Sequence, residues 1–410
     1  MRILLVNKYH HITGGADTYY FQLRKLLKEN NHDVAEFCMC HPKNEHSDYR
    51  RYFIKSVTNE NWNKVSLVES IRAFFNAIYN FEARRQFKKL VDDFKPEIIH
   101  IQNMFYQISP SILSIAKKKN IPVVETLHDY HLVCPNHFLF HHGKICEDCI
   151  HKNLFSVLKN RCYNDSFSAS LLAFCAATAH RMFGLYRSGI SLWISPSHFL
   201  KRKMVEGGIP DRKIAVIPYP FGINKELSPG FKEGNYVLYL GRLTTQKGIK
   251  TFIKASEQIK NIKFLIAGLG YLEDYIKTYL KTHSLSNIQF FGKVSNAEAI
   301  NLILNSKFVV VPSEWYDNLP FVVLESMSCG KPVIGSDIGG IPEMITPEVG
   351  FTFEPGNIAQ LVDLIIKLND DVELRKKMGK NAIEKILNYY NPELHYKKLE
   401  KLYKKEWHDK

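Results

Sequence analysis

Short apolar runs rich in β-branched residues alternate with amphipathic stretches along nearly the whole chain, and no other feature restricts the fold as much. The first run, RILLV, is followed by a polar loop over 10–17 and then by apolar residues at helical spacing over 18–31. Strands are expected next at 33–39, 97–101, 122–126 and 191–194, with helices over 82–94 and 110–120 among them. Parallel strands need a crossover connection, usually helical, so this alternation predicts an α/β fold with a parallel sheet covered on both faces.

Proline and glycine interrupt the rhythm at Ile217-Pro218-Tyr219-Pro220-Phe221-Gly222 and again at Ser228-Pro229-Gly230, a stretch that reads as a linker over 218–233. A second series of the same kind then begins, with NYVLYLGR, KFLIAG, NIQFFG, FVVVPS, KPVIGS and GFTFEP as its strands. Two doubly wound domains, 1–217 and 234–391, therefore account for 410 residues better than one small module does. Residues 392–410 read as a basic amphipathic helix that docks on one of the two domains.

Hydrophobic residues make up 45% of the chain and charged residues 23%, which excludes a disordered, collagen-like or coiled-coil protein. Lys and Arg outnumber Asp and Glu by 55 to 41, a net charge of +14, and residues 1–217 hold most of the excess, 30 against 19. Such a balance points to an anionic partner, whether nucleic acid, a phosphate-bearing ligand or an anionic membrane, or else to a merely solvated basic face. The apolar start is too short for a signal peptide, and the apolar stretch 166–179 is closed by His180, Arg181 and Arg187 before it can span a bilayer. A cytoplasmic protein is the expectation. In a reducing compartment its eight cysteines serve metal binding or plain burial rather than disulfides.

Three loops carry residues suited to chemistry. Gly14 and Gly15 lie between the first strand and the first helix, where bare backbone and helix-end N–H groups attract anions; a turn requirement explains the pair equally well. In Gly241-Arg242-Leu243-Thr244-Thr245-Gln246-Lys247-Gly248, Arg242 directly follows a parallel strand and Lys247 lies five residues on. A guanidinium fork and a compact ammonium at the carboxyl end of a strand suit a diphosphate whose charge grows as it leaves. The third loop ends at Pro320, and the helix after it carries Glu325, eight residues beyond Asp317. A carboxylate on that helix can accept from both hydroxyls of a ribose, and loop N–H groups near Asn318 and Leu319 can hold phosphate or sugar oxygens. Capping by Asp317 and a solvated Glu325 is the plainer reading.

Cys134, Cys146, Cys149 and Cys162 are spaced C-x11-C-x2-C-x12-C, with His137, His141, His142 and His151 among them. One CxxC pair and two flanking cysteines permit a tetrahedral structural zinc in an insertion over about 134–162; reduced cysteines in loops are the alternative.

Taken in order, GGAD, TLHDY at 126–130, GRLTTQKG, and Asp317 and Glu325 followed by GKPVIGSDIGGIPE resemble the retaining nucleotide-sugar glycosyltransferases of family 4. The resemblance covers nearly the whole chain and is strongest over 236–353. It implies a GT-B fold of two Rossmann-like domains facing across a cleft, the first binding the acceptor and the second the donor, with a C-terminal helix crossing back to the first. It implies that Arg242 and Lys247 bind the donor diphosphate, Glu325 the ribose hydroxyls and Asp317 the transferred sugar. Asn318 and Leu319 would belong to the same donor site. Gly15 would let its loop approach the phosphate, and His128 would lie beside the reacting sugar as a base or a hydrogen-bonding contact. Asp317 stands where the family has the first glutamate of E-x7-E, one methylene shorter.

On this resemblance the donor is a UDP- or GDP-sugar and catalysis needs no divalent metal. The acceptor is a glycan or polyprenyl-linked sugar of bacterial surface polysaccharide synthesis, and the basic excess of residues 1–217 adds the expectation of reversible attachment to the inner face of the plasma membrane. The competing readings are another GT-B enzyme such as a nucleotide-sugar epimerase, and a basic nucleic-acid-binding protein with a zinc module. The latter lacks a recognisable reading helix or RNA-binding signature.

Overall fold

The computed structural model describes residues 1–55, 75–163, 165–222 and 232–408. Ser228-Pro229-Gly230, read above as linker, lies outside them. The chain divides into two compact units, one of Met1–Leu139, Cys146–Ile217 and His395–Lys410, the other of Phe140–Ile145 and Pro218–Leu394.

In the first unit, strands β1 (Arg2–Val6), β2 (Asp33–Phe37), β3 (Ile98–Ile101), β4 (Val123–Thr126), β5 (Leu192–Ser195) and β6 (Ile214–Val216) form one parallel sheet in the order β2-β1-β3-β4-β5-β6. Strands β3 and β4 are buried along their whole length, as strands covered on both faces must be. Their polar members are buried too, and each is satisfied: His100 Nε2 lies 2.8 Å from Thr126 Oγ1, and Trp193 Nε1 donates to Glu125 Oε2 at 2.9 Å. Strand β6 is not among the expected strands, because three residues after a charged Asp-Arg-Lys turn carry too little periodicity to be seen. The single helix expected over 110–120 is instead a 3-10 turn, Pro110–Ile112, leading into a short helix, Leu113–Lys118. Helix α1 (Gly15–Glu29) joins β1 to β2. Helix α2 (Phe167–Met182) buries Ser170, Ala173, Ala176 and His180, while Phe167, Leu171 and Met182 stay exposed.

The second unit repeats the architecture with β7 (Tyr236–Leu240), β8 (Phe264–Ala267), β9 (Ile288–Gly292), β10 (Ser306–Val311), β11 (Val333–Ser336) and β12 (Gly350–Phe353), in the order β9-β8-β7-β10-β11-β12. Helix α3 (Phe321–Ser328) connects β10 to β11. The final helix, α4 (Pro392–His408), groups with the first unit from His395 onward. There Leu399 and Tyr403 are fully buried, and the Tyr403 hydroxyl lies 2.5 Å from His100 Nδ1. Among the described residues no helix is long and apolar enough to cross a membrane.

Candidate active site

In an open α/β sheet the crevice for a ligand lies where neighbouring strands send their connections in opposite directions. In the second unit that point falls between β7 and β10, which pair through Val237 with Phe308 and Leu238 with Val309. The loop after β7, residues 241–248, is pinned from beneath by the Tyr239 hydroxyl, which donates to the carbonyl of Arg242 at 2.9 Å and lies 3.5 Å from that of Lys247. It closes on Gly248, whose φ of +65° and whose approach to the Pro312 carbonyl leave no room for a side chain: a Cβ would sit 1.6 Å from that oxygen. The tail of this loop is thereby held against the start of the loop after β10.

That contact brings Lys247 and Asp317 together. Lys247 Nζ donates to Asp317 Oδ2 at 2.5 Å, the Ser313 hydroxyl donates to the same oxygen at 2.9 Å, and the ammonium lies 5.4 Å from the centre of the Trp315 ring. The two cations of the loop are therefore not equivalent. Lys247 is part-buried and committed to a carboxylate, whereas Arg242 is exposed and forms no ion pair among the described residues. The buried Thr244 hydroxyl between them has no hydrogen-bond partner among the described residues, a feature sequence reasoning missed. Tyr239 was missed as well, since an aromatic in a strand reads as core.

Asp317, Asn318 and Leu319 are buried at the entry to α3. The Asp317 carbonyl accepts from the N–H of Gly340 at 2.7 Å, and a Cβ at Gly339 would lie 2.3 Å from that oxygen. Glu325 sits in the second turn of α3, half-buried. No described residue donates to its carboxyl, and burial pushes that group up to about 7. Glu314, the acidic neighbour of Asp317 in sequence, accepts from Thr251 Oγ1 at 2.6 Å and is thereby turned toward the helix after the first loop.

In the first unit the corresponding crevice opens between β1 and β3. Gly14 is extended and stands before the first turn of α1, and a Cβ there would meet open space, so internal packing does not demand this glycine. Gly15 is the first residue of α1. The loop is held by Asp17, whose carboxylate accepts from the Thr13 N–H at 2.9 Å, the Thr13 hydroxyl at 2.5 Å and Asn7 Nδ2 at 2.9 Å. His128 follows β4. Its Nε2 lies 2.9 Å from the Gln102 side-chain amide, and its ring is 5.4 Å from that of Tyr19. Burial pushes His128 down to about 3, so the imidazole is neutral. Tyr19 in turn meets His395 of α4, hydroxyl to Nε2, at 3.2 Å.

One further histidine organises this segment. His131 lies between two carboxylates, with Nε2 3.2 Å from Glu125 and Nδ1 2.9 Å from Asp129. Burial opposes its charge, but those carboxylates outweigh burial and push it up to about 10. It helps to line a cavity of about 180 Å³ together with Phe105, Tyr106, His137, Arg181 and Arg187.

The four cysteines of the insertion all fall in the first unit; Cys134 and Cys149 are buried, Cys146 and Cys162 half-buried. The Cys134 thiol donates to Asn136 Oδ1 at 2.9 Å.

Comparison with known proteins gives the same outline over the whole chain. Residues 13–221 match the family model described as Glycosyltransferase Family 4, and residues 224–385 match that described as Glycosyl transferases group 1. An uncharacterised glycosyltransferase of Methanocaldococcus jannaschii is 24% identical over 385 residues, covering 94% of this chain and 93% of its own. Among solved structures, sucrose-phosphate synthase from Thermosynechococcus elongatus superimposes with a TM-score of 0.71 at 18% identity, each chain covered completely. Anabaena HepE in complex with UDP-glucose superimposes with a TM-score of 0.64 at 18% identity, covering 98% of this chain and 99% of that one.

Proposed function

The chain belongs to glycosyltransferase family 4, and on that premise we propose that it is a retaining transferase moving a sugar from a nucleotide-diphosphate donor to a glycan or lipid-linked acceptor. Its two parallel sheets are those of the GT-B fold. The observation that carries the proposal is the meeting of Lys247 and Asp317 at the strand-order reversal of the second sheet, with exposed Arg242 in the same loop.

A diphosphate there accepts from the Arg242 fork in two parallel bonds and meets Lys247 as a second cation. As the bond to the sugar breaks, negative charge gathers on the leaving diphosphate, and these two groups stabilise it without a divalent metal. Lys247 also holds the Asp317 carboxylate in place, so Asp317 accepts from hydroxyls of the transferred sugar. Glu325, half-buried and with no donor among the described residues, accepts from the ribose diol. Asn318 and Leu319 complete the donor side at the entry to α3. HepE was solved with UDP-glucose, which supports a uridine or other nucleotide sugar as donor.

Gly15, at the tip of α1, leaves its loop open to phosphate oxygens. His128, neutral and tied to Gln102, is too weak a base to take the acceptor proton efficiently, which favours a hydrogen-bonding sugar contact over the general-base role. Arg181 and Arg187 in the cavity of the first unit support an acceptor bearing phosphate, such as a polyprenyl-linked sugar. The basic excess of residues 1–217 and the exposed apolar side chains of α2 support attachment to an anionic membrane, the place where such an acceptor resides.

A donor panel read by thermal shift and nucleotide release tests the reading, with Arg242→Ala, Glu325→Gln and His128→Ala beside the unaltered protein. One nucleotide sugar should raise the melting temperature. The Arg242 and Glu325 variants should lose that shift, and the His128 variant should keep it while turnover falls. If no nucleotide sugar shifts the unaltered protein, the proposal fails.

A further inference from the structure

We propose that the cavity of the first unit is an acceptor subsite for one sugar ring bearing an oxyanion, either a phosphate or a carboxylate; this rests on the transferase reading above and names what the acceptor carries. The connection from β4 to β5 occupies residues 127–191, far more than the dozen or so a plain crossover needs, and it supplies most of the cavity wall. His131 and His137 come from its first loop, His180 and Arg181 from the last turn of α2, and Tyr186 and Arg187 from the short helix Leu185–Gly189. Phe105 and Tyr106, which follow β3, complete the wall on the other side.

Two arginines and three histidines line the cavity, and among the described residues no carboxylate does. The nearby carboxylates are spent on the histidines. Glu125 accepts from Trp193 Nε1 and faces His131 Nε2 at 3.2 Å, while Asp129 lies 2.9 Å from His131 Nδ1 and 3.7 Å from His137 Nδ1. The arginines are left without such a partner. Arg181 Nη2 donates to the carbonyls of Val133 at 3.1 Å and Leu132 at 3.4 Å, and Arg187 Nη2 to that of Gly208 at 2.9 Å. These bonds fix each guanidinium by one amino group, and among the described residues Nε and Nη1 of both have no partner. Most of the donors of each fork are therefore open to an oxyanion. The two arginines also lie within electrostatic reach of each other, and like charges on one cavity with no carboxylate in its wall are relieved by an anion.

The size of the cavity and its aromatic wall define the rest of the ligand. Its 180 Å³ is slightly more than the roughly 150 Å³ that accepts one benzene ring and well under the roughly 300 Å³ at which pockets for larger ligands begin, so it holds one six-membered ring. The Phe105 ring stands 4.6 Å from that of His137, and Tyr186 5.8 Å from that of His131, centre to centre. Aromatic and imidazole groups thus share the wall, the former suited to the C–H face of a sugar and the latter to its hydroxyls. His180 Nε2 lies 3.0 Å from the Ile78 carbonyl, which can only accept, so its Nδ1 is left to accept from a hydroxyl. His131 is three residues beyond His128, at most about 11 Å along the chain, so a short glycan reaches from this cavity to the contact proposed for the reacting sugar.

Titration calorimetry on the full chain without donor tests the assignment, with glucose 1-phosphate, glucuronate, glucose and inorganic phosphate as probes. One of the two anionic sugars should bind about tenfold more tightly than glucose or inorganic phosphate, the size of a charge-assisted hydrogen bond added to the ring contacts. Preference for the phosphate indicates a lipid-linked sugar, and preference for the carboxylate an acidic glycan. Arg181→Gln and Arg187→Gln, at exposed positions, should each weaken that binding about tenfold. Ala177→Phe fills the cavity without removing a charge and should abolish it. These three variants should keep the melting-temperature rise given by a nucleotide sugar, whereas Arg242→Ala should lose that rise and keep the anionic-sugar binding. Equal binding of glucose and both anionic sugars, inorganic phosphate matching the better of them, or loss of the binding in Arg242→Ala would overturn the assignment. Binding that survives both arginine substitutions would overturn it as well. A nucleotide-sugar shift retained in any of those cases leaves the transferase reading standing, so the two fail separately.

Discussion

A carboxyl group partly withdrawn from water on a helix, with no donor among the described residues, costs the free protein stability once it ionises, and a ligand with two hydroxyls relieves that cost. Glu325 is such a group. Held neutral up to about 7 by burial, far above the about 4.3 of an exposed glutamate, it favours the fold while protonated. That contribution is fully present below the unfolded value and is lost as pH rises through 7. Ribose hydroxyls prefer the ionised form, so at acid pH donor binding must first remove a proton. Affinity for the intact nucleotide sugar, whose diphosphate keeps its charge in this range, should be about tenfold weaker near pH 6 than near pH 8. Titration calorimetry measures it. Glu325→Gln should flatten the profile and weaken binding about tenfold or more at the alkaline end, the size of a lost charge-assisted hydrogen bond. An unchanged slope in that variant would remove Glu325 from the site. A different imbalance governs Lys247, whose removal strands the buried Asp317 carboxylate. Lys247→Ala should therefore lower the melting temperature, and adding Asp317→Asn should restore part of the loss while leaving turnover low. Equal melting temperatures for the single and double variants would show that the pair is not coupled.

At the scale of elements, the strands were legible because their environment imposes a simple pattern. FVVV at β10 and VV at β4 are covered by helices on both faces and so read as unbroken apolar runs. What escaped was whatever depends on neighbours distant in sequence. Lys247 and Asp317 are 70 residues apart, and nothing local says that the loop cation of one is the partner of the other. His131 reads as one histidine among several, although the fold sets it between two carboxylates. The C-terminal helix shows the same limit. Its amphipathic pattern predicted docking, but only the fold reveals that Tyr403 meets His100 across 303 residues. Both partners are fully buried, so Tyr403→Phe leaves an imidazole nitrogen unsatisfied and should cost about 1–3 kcal/mol. In a unit of this size that is a fall of roughly 2–4 °C per kcal/mol, measurable by calorimetry. A variant that melts with the unaltered protein would mean that the helix is held by its apolar contacts alone.

For the whole molecule, the open question is the use of a net charge of +14, of which the donor loop accounts for two residues. Most of the excess lies in residues 1–217, and the exposed apolar side chains of α2 lie in the same unit. Phe167, Leu171, Phe174 and Met182 follow helical spacing along one side of α2, and Phe155 packs on Phe174 with ring centres 4.9 Å apart while remaining 65% exposed. Met182 and Phe183 are 71% and 65% exposed at the end of the same helix. Lys152, Lys159 and Arg161 lie on the segment that packs against it. Large exposed rings in water are unfavourable unless something covers them, and a stripe of them flanked by cations matches the boundary between headgroups and acyl chains of an anionic bilayer. Each basic residue near such a surface contributes about 1 kcal/mol, screened by salt. The chain should therefore sediment with vesicles of phosphatidylcholine mixed with phosphatidylglycerol at low salt and not with phosphatidylcholine alone. Neutralising Lys159 and Arg161 should lower partitioning roughly 30-fold, on the order of 1 kcal/mol for each charge. Phe155→Ser with Phe167→Ser should weaken binding in a manner that salt does not mimic, because apolar insertion is not screened. Failure to bind anionic vesicles at low salt would return the charge to ordinary solvation and leave the apolar stripe to another occupant.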